Sequence, residues 1–254
     1  AWLAGEQWRI DVFRTHGKIY EASASQMFGV PIEQIGKGSE LRQKGKVAEL
    51  ALGYQGGPGA LISMGALEQG LTEEELPEIV ERWRNANRAV VEFWRSIEGA
   101  ALHAVQTGEA VGLRGLVIAR EMDSRTGQDF MTIRLHSGRK LYYPKPYISE
   151  NQFGRPAIHY YGVEGGKWSV LSTYGGKLTE NVVQAISRDC LANALMKLDA
   201  AGFEIVMHVH DEIVAEAEGD HLEEMLDIMR APILWAPGLP LDAAGFISNF
   251  YMKD

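Results

Sequence analysis

The chain has 254 residues, 46% hydrophobic and 23% charged, a composition that excludes the disordered, collagen-like and membrane-spanning classes and suffices for one large domain or two smaller ones. Its single cysteine, Cys190, rules out an intrachain disulfide and any sulfur-built metal cluster; with no apolar run of bilayer length, this points to a cytoplasmic protein with no membrane partner. Lys and Arg number 25 against 34 Asp and Glu, a net charge of −9, the wrong sign for holding nucleic acid by bulk charge, so any such site must be a local patch.

In chain order, the first residues read as a helix already under way: Trp2, Leu3, Ile10, Val12 and Phe13 are apolar and no capping residue precedes them. With Ala1 in place of an initiating Met, this predicts further sequence upstream, either cut away or supplied by a partner. Tyr20 to Phe28 is helix-compatible, and Gly29 and Pro31 end it. Ser39 is placed to cap a helix running from Leu41 to Tyr54, with Gly45 tolerated inside it at about 1 kcal/mol against Ala. Thr72 and Glu75 have capping-box spacing, and Leu76, Ile79, Val80, Trp83, Val90, Trp94 and Ile97 then recur at helical period, predicting one long helix with a buried side. The tryptophans in it are expected in the core.

Beyond Val105 the texture turns to β. Ala110 to Arg120, Phe130 to Leu135 and Lys140 to Tyr143 are short β-prone runs separated by turn residues, which predict an antiparallel meander. A helix over Leu178 to Ala201 follows, then two strands from Phe203 to Glu216 around His210, Asp211 and Glu212, then an acidic helix from Asp220 to Met229 and a Pro-rich tail. This order is α+β.

Three constellations bear chemistry. Arg42, Lys46, Leu50 and Tyr54 are spaced by four, so a helix lines them up as one slanted stripe. Its two cations lie near a helix N-terminus, which itself favours anions, and an apolar and an aromatic group follow. Such a stripe can hold phosphates at one end and a flat base at the other; it also reads as a solvated basic turn followed by a core-facing Leu and Tyr. Asp211 and Glu212, beside His210, interrupt an apolar strand pair; adjacent carboxylates at a hairpin tip repel unless a cation lies between them, and Mg²⁺ suits one or two carboxylates with phosphates and water. The alternative is a plain exposed turn. The other histidines, His16, His103, His136, His159, His208 and His221, form no ligand pair on one face, and His208 is expected opposite Val209 across the strand. Lastly, Glu180, Gln184, Arg188 and Asp189 put polar groups at helical spacing, as a functional face or a simple surface.

Together these residues resemble the C-terminal part of a family A DNA polymerase, the bacterial DNA polymerase I type, and its phage and prophage branch above all. Arg42, Lys46, Leu50, Tyr54 and Gly56 fill the pattern of the family's fingers helix, with Leu50 where a Phe or Tyr is common. KIYEASASQMFGVP resembles the segment before the fingers, with Tyr20 where many relatives have a phosphate-contacting His. VHDEIV, with His210, Asp211 and Glu212, matches the third polymerase motif, and Gln184 in ENVVQAISRD matches the helix whose Gln reads the minor groove. SGRKLYYP, TYGGKLTEN and WAPGLPL resemble the phage branch.

The resemblance implies a palm of antiparallel sheet and helices with a mostly helical fingers subdomain inserted: residues 1–19 as palm, 20–100 as fingers with the nucleotide-binding helix at 41–54, and 101–254 as palm with the catalytic hairpin at 203–216. It implies template-directed addition of dNTPs to a primer 3′-hydroxyl with two Mg²⁺ ions. Asp211 and Glu212 are then the catalytic and metal-holding acids, Arg42, Lys46, Leu50, Tyr54 and Tyr20 bind nucleotide, and Gln184, His210 and Gly56 contact primer-template DNA. The family's first motif, Asp-x-Ser-x-Ile-Glu, which carries the other catalytic Asp, precedes AWLAGE in relatives and is absent here. The expectation is therefore an enzyme active only with an N-terminal polymerase fragment, as a separate chain in a heterodimer. The other readings are a catalytically inactive remnant that binds primer-template DNA or nucleotide, and a helical scaffold.

Overall fold

Ser39 sets the start of the helix that carries the basic stripe: its Oγ accepts the Arg42 backbone N–H at 3.3 Å and satisfies one of the orphan donors of the first turn. The structure, a computed structural model, describes residues 1–252; the palm segment expected to end at 254 therefore runs two positions outside the described residues. The chain divides into two compact units, Ala1–Val182 and Val183–Asp254.

In the first unit, helices α1 (Gln7–Thr15), α2 (Ile19–Phe28), α3 (Glu40–Leu52), α4 (Pro58–Ser63), α5 (Leu76–Ala86) and α6 (Arg88–Thr107) come first. The expected helix at the very start is a turn up to Gly5, and helix begins only at Gln7. Small residues are buried on both α2 and α3, Ala22, Ser23 and Ala24 on one and Gly45, Ala48 and Ala51 on the other, and Gly45 lies against Tyr20 and Ala24. A Cβ on Gly45 would collide with the Tyr20 carbonyl oxygen. Gly45 is thus not a tolerated defect but the reason the two helices can pack so closely.

The single long helix expected from near Thr72 to Ile97 is two helices. Glu75 Oε2 does accept the Thr72 backbone N–H, at 2.8 Å, but α5 starts after it, at Leu76. The chain then leaves helical geometry at Asn87 (φ −124°, ψ 49°). A buried network holds the break. Asn87 Nδ2 donates to the Trp83 carbonyl at 2.7 Å and its Oδ1 accepts from Arg9 Nε. Arg9 in turn grips Glu49 through both Nη groups at 2.6 Å, and Glu49 accepts from Trp83 Nε1 at 3.0 Å. Glu6 Oε2 accepts the Ala89 backbone N–H at 2.9 Å and so caps α6 from outside. The tryptophans are core residues as expected, Trp83 stacking on Trp94 with centroids 5.9 Å apart.

Strands β1 (Val111–Leu113), β2 (Leu116–Met122), β3 (Asp129–Arg134) and β4 (Lys140–Pro144) form the expected antiparallel meander in the order β1-β2-β3-β4. The run Ala110 to Arg120 is two strands rather than one, because Arg114 (φ 45°) and Gly115 (φ 83°) make a two-residue hairpin turn. Ile118 faces Ile133 and Met131 faces Tyr143, all buried. A second antiparallel sheet, β5 (Tyr147–Glu150), β6 (Pro156–Glu164) and β7 (Lys167–Thr173), has no counterpart in the sequence reading.

Helix α7 (Gly175–Ala200) begins in the first unit and continues into the second. There, Gly202 (φ 90°) turns the chain into β8 (Glu204–Val209) and β9 (Glu212–Glu216), an isolated antiparallel pair. Helix α8 (Leu222–Arg230) starts two residues later than expected, and Asp220 Oδ1 accepts the Leu222 backbone N–H at 3.1 Å. Arg230 ties α8 to the tail through the Ala243 carbonyl. Among the described residues no helix is long and apolar enough to cross a membrane.

Candidate functional site

The stripe is exposed at its middle, at Lys46 and Leu50, and half-buried at its ends, Arg42 and Tyr54. Arg42 Nε donates to Glu21 Oε1 at 2.7 Å, and its guanidinium carbon lies 5.3 Å from the centroid of the Tyr20 ring. The close α2–α3 approach at Gly45 puts Tyr20 and Glu21 within reach of Arg42. Burial alone pushes the Glu21 carboxyl up, but its own backbone N–H and Arg42 together outweigh that and hold it below the ordinary carboxylate range. Because Glu21 takes only Nε, neither Nη group of Arg42 has a protein partner among the described residues. Lys46 is exposed and has no ion-pair or hydrogen-bond partner among them; Lys44, two residues earlier, is paired with Glu40 at 2.7 Å.

Leu50 is 51% exposed, which removes the reading in which it faces the core. α3 ends at Leu52, two residues short of the expected Tyr54, and Tyr54 lies in the turn that follows. Gln55 (φ 69°) in the same turn accepts the Gly176 backbone N–H through Oε1 at 2.8 Å. The Gly175–Gly176 pair fits because a Cβ on either would strike backbone, the Trp94 carbonyl for one and the Tyr54 carbonyl for the other. Burial raises the Tyr54 hydroxyl above its usual pKa, with the charge of Glu180 adding to it, so the phenol stays protonated and available as a donor. Gly56 has its carbonyl bonded to Arg84 Nη2 at 3.0 Å and no room for a side chain, since a Cβ would meet the Ala51 carbonyl. The first unit therefore brings Tyr20, Arg42, Lys46, Leu50, Tyr54 and Gly56 onto one helix and its immediate supports.

In the second unit, His210 (φ 52°) and Asp211 form the tip of the β8–β9 hairpin, while Glu212 is the first residue of β9, opposite Val209. His210 and Asp211 are exposed and Glu212 half-buried. His208 is exposed where Val209 is half-buried, in keeping with strand alternation. No group of three or more His, Cys, Asp or Glu is placed to hold a metal ion among the described residues. Asp211 and Glu212 thus suit Mg²⁺ in chemical type, as hard oxygen donors, but in number they supply only part of a site. On α7, Gln184 and Arg188 are exposed, whereas Asp189 is buried and is no part of that polar face. Cys190, beside it, has its thiol pushed up to about 11, by burial first and then by the Asp189 charge. The sequence reading missed Glu21, Gly45 and the Gly175–Gly176 pair as supports of the stripe. The small residues gathered in both α2 and α3 are the available signal for Gly45.

No protein-family model matches the chain. The chain is 56% identical over 259 residues to the DNA polymerase of Bacillus phage SP02, a match that covers all of this chain and 39% of that protein. In fold it is similar to the POL domain of Pol1 from M. smegmatis, solved in complex with DNA primer-template and dNTP, with a TM-score of 0.58 and 19% identity, over 95% of this chain and 35% of that one. The chain thus spans about two fifths of the length of the phage relative. Along its whole length the chain is similar to a part of that phage DNA polymerase, and its helices and antiparallel sheets have the fold of the Pol1 domain.

Proposed function

We propose that the chain is the fingers and much of the palm of a DNA-dependent DNA polymerase of family A, and that it extends a primer when the N-terminal portion of the enzyme completes it. The observation that carries this reading is the stripe on α3. Two cationic groups with free N–H donors and an exposed leucine on α3 precede a half-buried tyrosine in the turn that follows, an order that matches a nucleoside triphosphate read from phosphates to base. Arg42 binds triphosphate oxygens through its two Nη groups, held in place by Glu21 and the Tyr20 ring, and Lys46 adds a second, mobile charge. Leu50 and Tyr54 offer the incoming base an apolar edge and a ring, and Gly56 keeps the turn beneath them narrow. Gln184 and His210, both exposed, contact the primer-template.

Asp211 and Glu212 are the residues that would hold a divalent ion, and an ion bound there would supply charge that favours ionisation of the primer 3′-hydroxyl and offsets that of the phosphates. The family pattern calls for two such ions, and the two-carboxylate tip supports a division of the ligand set between this chain and the N-terminal portion. The rest of the chain's contribution is positioning and fixed charge.

The test is primer extension by the completed polymerase. Lys46→Ala should raise the KM for dNTP roughly 10- to 100-fold, the range expected for losing a hydrogen bond to a charged phosphate, and Asp211→Ala should abolish most incorporation. The second reading, a chain that binds primer-template or nucleotide without reacting, draws on the incomplete acid set at the tip; it predicts that Asp211→Ala changes nothing, and that result would replace the enzyme reading.

A further inference from the structure

We propose that the outer face of the β5–β7 sheet is a platform for single-stranded DNA, with bases stacking on its rings; the proposal rests on the polymerase reading above. The strand register sorts the side chains. Ile148, Ile158 and Thr173 share one face, on which Ile158 and Thr173 are buried. Tyr147, His159, Tyr161 and Trp168 share the other, since Tyr147 faces His159, Tyr161 faces Val170 and Val163 faces Trp168. That second face is covered at Ala157, half-buried at His159 and Tyr161, and open toward its rim, where Tyr147 is 42%, Trp168 57% and Val163 66% exposed.

Its rings are already arranged in pairs. Tyr147 stacks on His159 with centroids 5.3 Å apart, and Tyr161 lies against Trp168 at 6.4 Å, with interplanar angles of 20° and 27°. His159 and Tyr161 are neighbours on one face of β6, about 7 Å apart, so successive bases of an extended strand meet successive rings. Charge favours the same occupant. Lys145 Nζ lies 5.4 Å from the Tyr161 ring centroid, on the aromatic face. The two carboxylates of residues 144–174, Glu150 and Glu164, alternate onto the opposite face with their partners Pro156 and Lys167. In a chain of net charge −9, this is a local patch of the kind a polyanion with flat bases requires. The platform is also continuous with the stripe: β7 runs through exposed Tyr174 directly into Gly175 and Gly176, the pair seated against the Tyr54 turn.

The experiment uses the 254-residue chain and a fluorescently labelled strand of about 12 thymidines, followed by anisotropy at low and at moderate salt. Trp168→Ala and Tyr161→Ala should each weaken binding by about fivefold or more, the low end of one base-on-ring stack, and Lys145→Ala should flatten the salt dependence by about one counterion. All three positions lie outside the core, and circular dichroism of each variant serves as the control for folding. Binding that the ring variants leave within about twofold of wild type overturns the proposal, as does no single-strand binding by the wild-type chain. So does self-association that these variants dissolve while single-strand binding persists, which would make the face a contact between copies. Primer extension by the completed polymerase on a template without a single-stranded overhang beyond the incoming nucleotide is the separating arm. Failure of the platform leaves that activity in place, whereas failure of the polymerase reading shows as its absence.

Discussion

Replacing Gly45 by Ala sets two effects against each other on one helix. In an exposed helix interior the substitution stabilises by roughly 1 kcal/mol, since Ala loses less backbone entropy than Gly. At position 45 the new methyl would meet the Tyr20 carbonyl oxygen and come within 3.0 Å of Ala24 Cβ. Both obstacles belong to α2, and neither is the end of a flexible side chain, so α2 and α3 must move apart. Overpacking of this kind costs about 1–3 kcal/mol, here at the upper end because backbone has to shift, which leaves a net loss of about 1–2 kcal/mol. For a folded unit of this size that is a Tm lowered by roughly 2–8 °C. Gly99→Ala on α6 is the matched control: Gly99 is an exposed helix residue with nothing within 4 Å of its virtual Cβ, and there the substitution should raise the Tm. Thermal unfolding of both variants beside wild type decides the matter, and a Gly45→Ala chain as stable as Gly99→Ala would refute the argument that close helix approach selects Gly45.

Further outcomes follow from the same geometry. Asn87→Ala removes the acceptor for Arg9 Nε in a buried charged network and should cost roughly 1.5–3 kcal/mol in urea unfolding; an unchanged midpoint would show that the α5–α6 break needs no such anchor. The folded-state pKa of Glu21 lies below its unfolded value, so its contribution to stability is complete above the unfolded value of about 4.3 and is lost as pH falls through the folded one. The stability gap between wild type and Glu21→Gln should therefore be full near pH ~6 and shrink below pH ~4; a gap that grows on acidification reverses the sign and the reasoning with it. Cys190, with a thiol at about 11, should react with a disulfide reagent at pH ~8 on the order of a hundredfold more slowly than an unfolded-chain cysteine.

The helices α2 and α3, the β1–β4 meander, α7 and the β8–β9 hairpin are legible in the sequence because their signals are local: a capping serine, glycine stops, and apolar periods of 3.6 or 2. What escapes the reading is set by residues far apart in the chain. The apolar period runs unbroken across Asn87, and the break there depends on Arg9, 78 residues away. The β5–β7 sheet has one aromatic, open face and glycine-rich turns, so it lacks the clean apolar alternation that marks a half-buried strand. Gly45 reads as a cost to its own helix, and its purpose appears only when Tyr20 is brought against it. Of the site, the stripe and the acidic tip are visible from spacing. Glu21 as the partner of Arg42, the exposure of Leu50 and the burial of Asp189 are not, because each depends on what packs alongside. The two carboxylates at the tip are visible in the sequence, and the structure adds no third donor beside them among the described residues.

The most direct test of the central claim, that Asp211 at the β8–β9 tip carries the reaction, is single-turnover incorporation of one correct dNTP into a primer-template by this chain completed with the N-terminal portion of the phage relative. The account predicts that Asp211→Ala lowers the incorporation rate about a thousandfold or more, the several kcal/mol a metal-holding carboxylate supplies to the transition state, while primer-template affinity stays within about twofold. Incorporation by Asp211→Ala at the wild-type rate would contradict it.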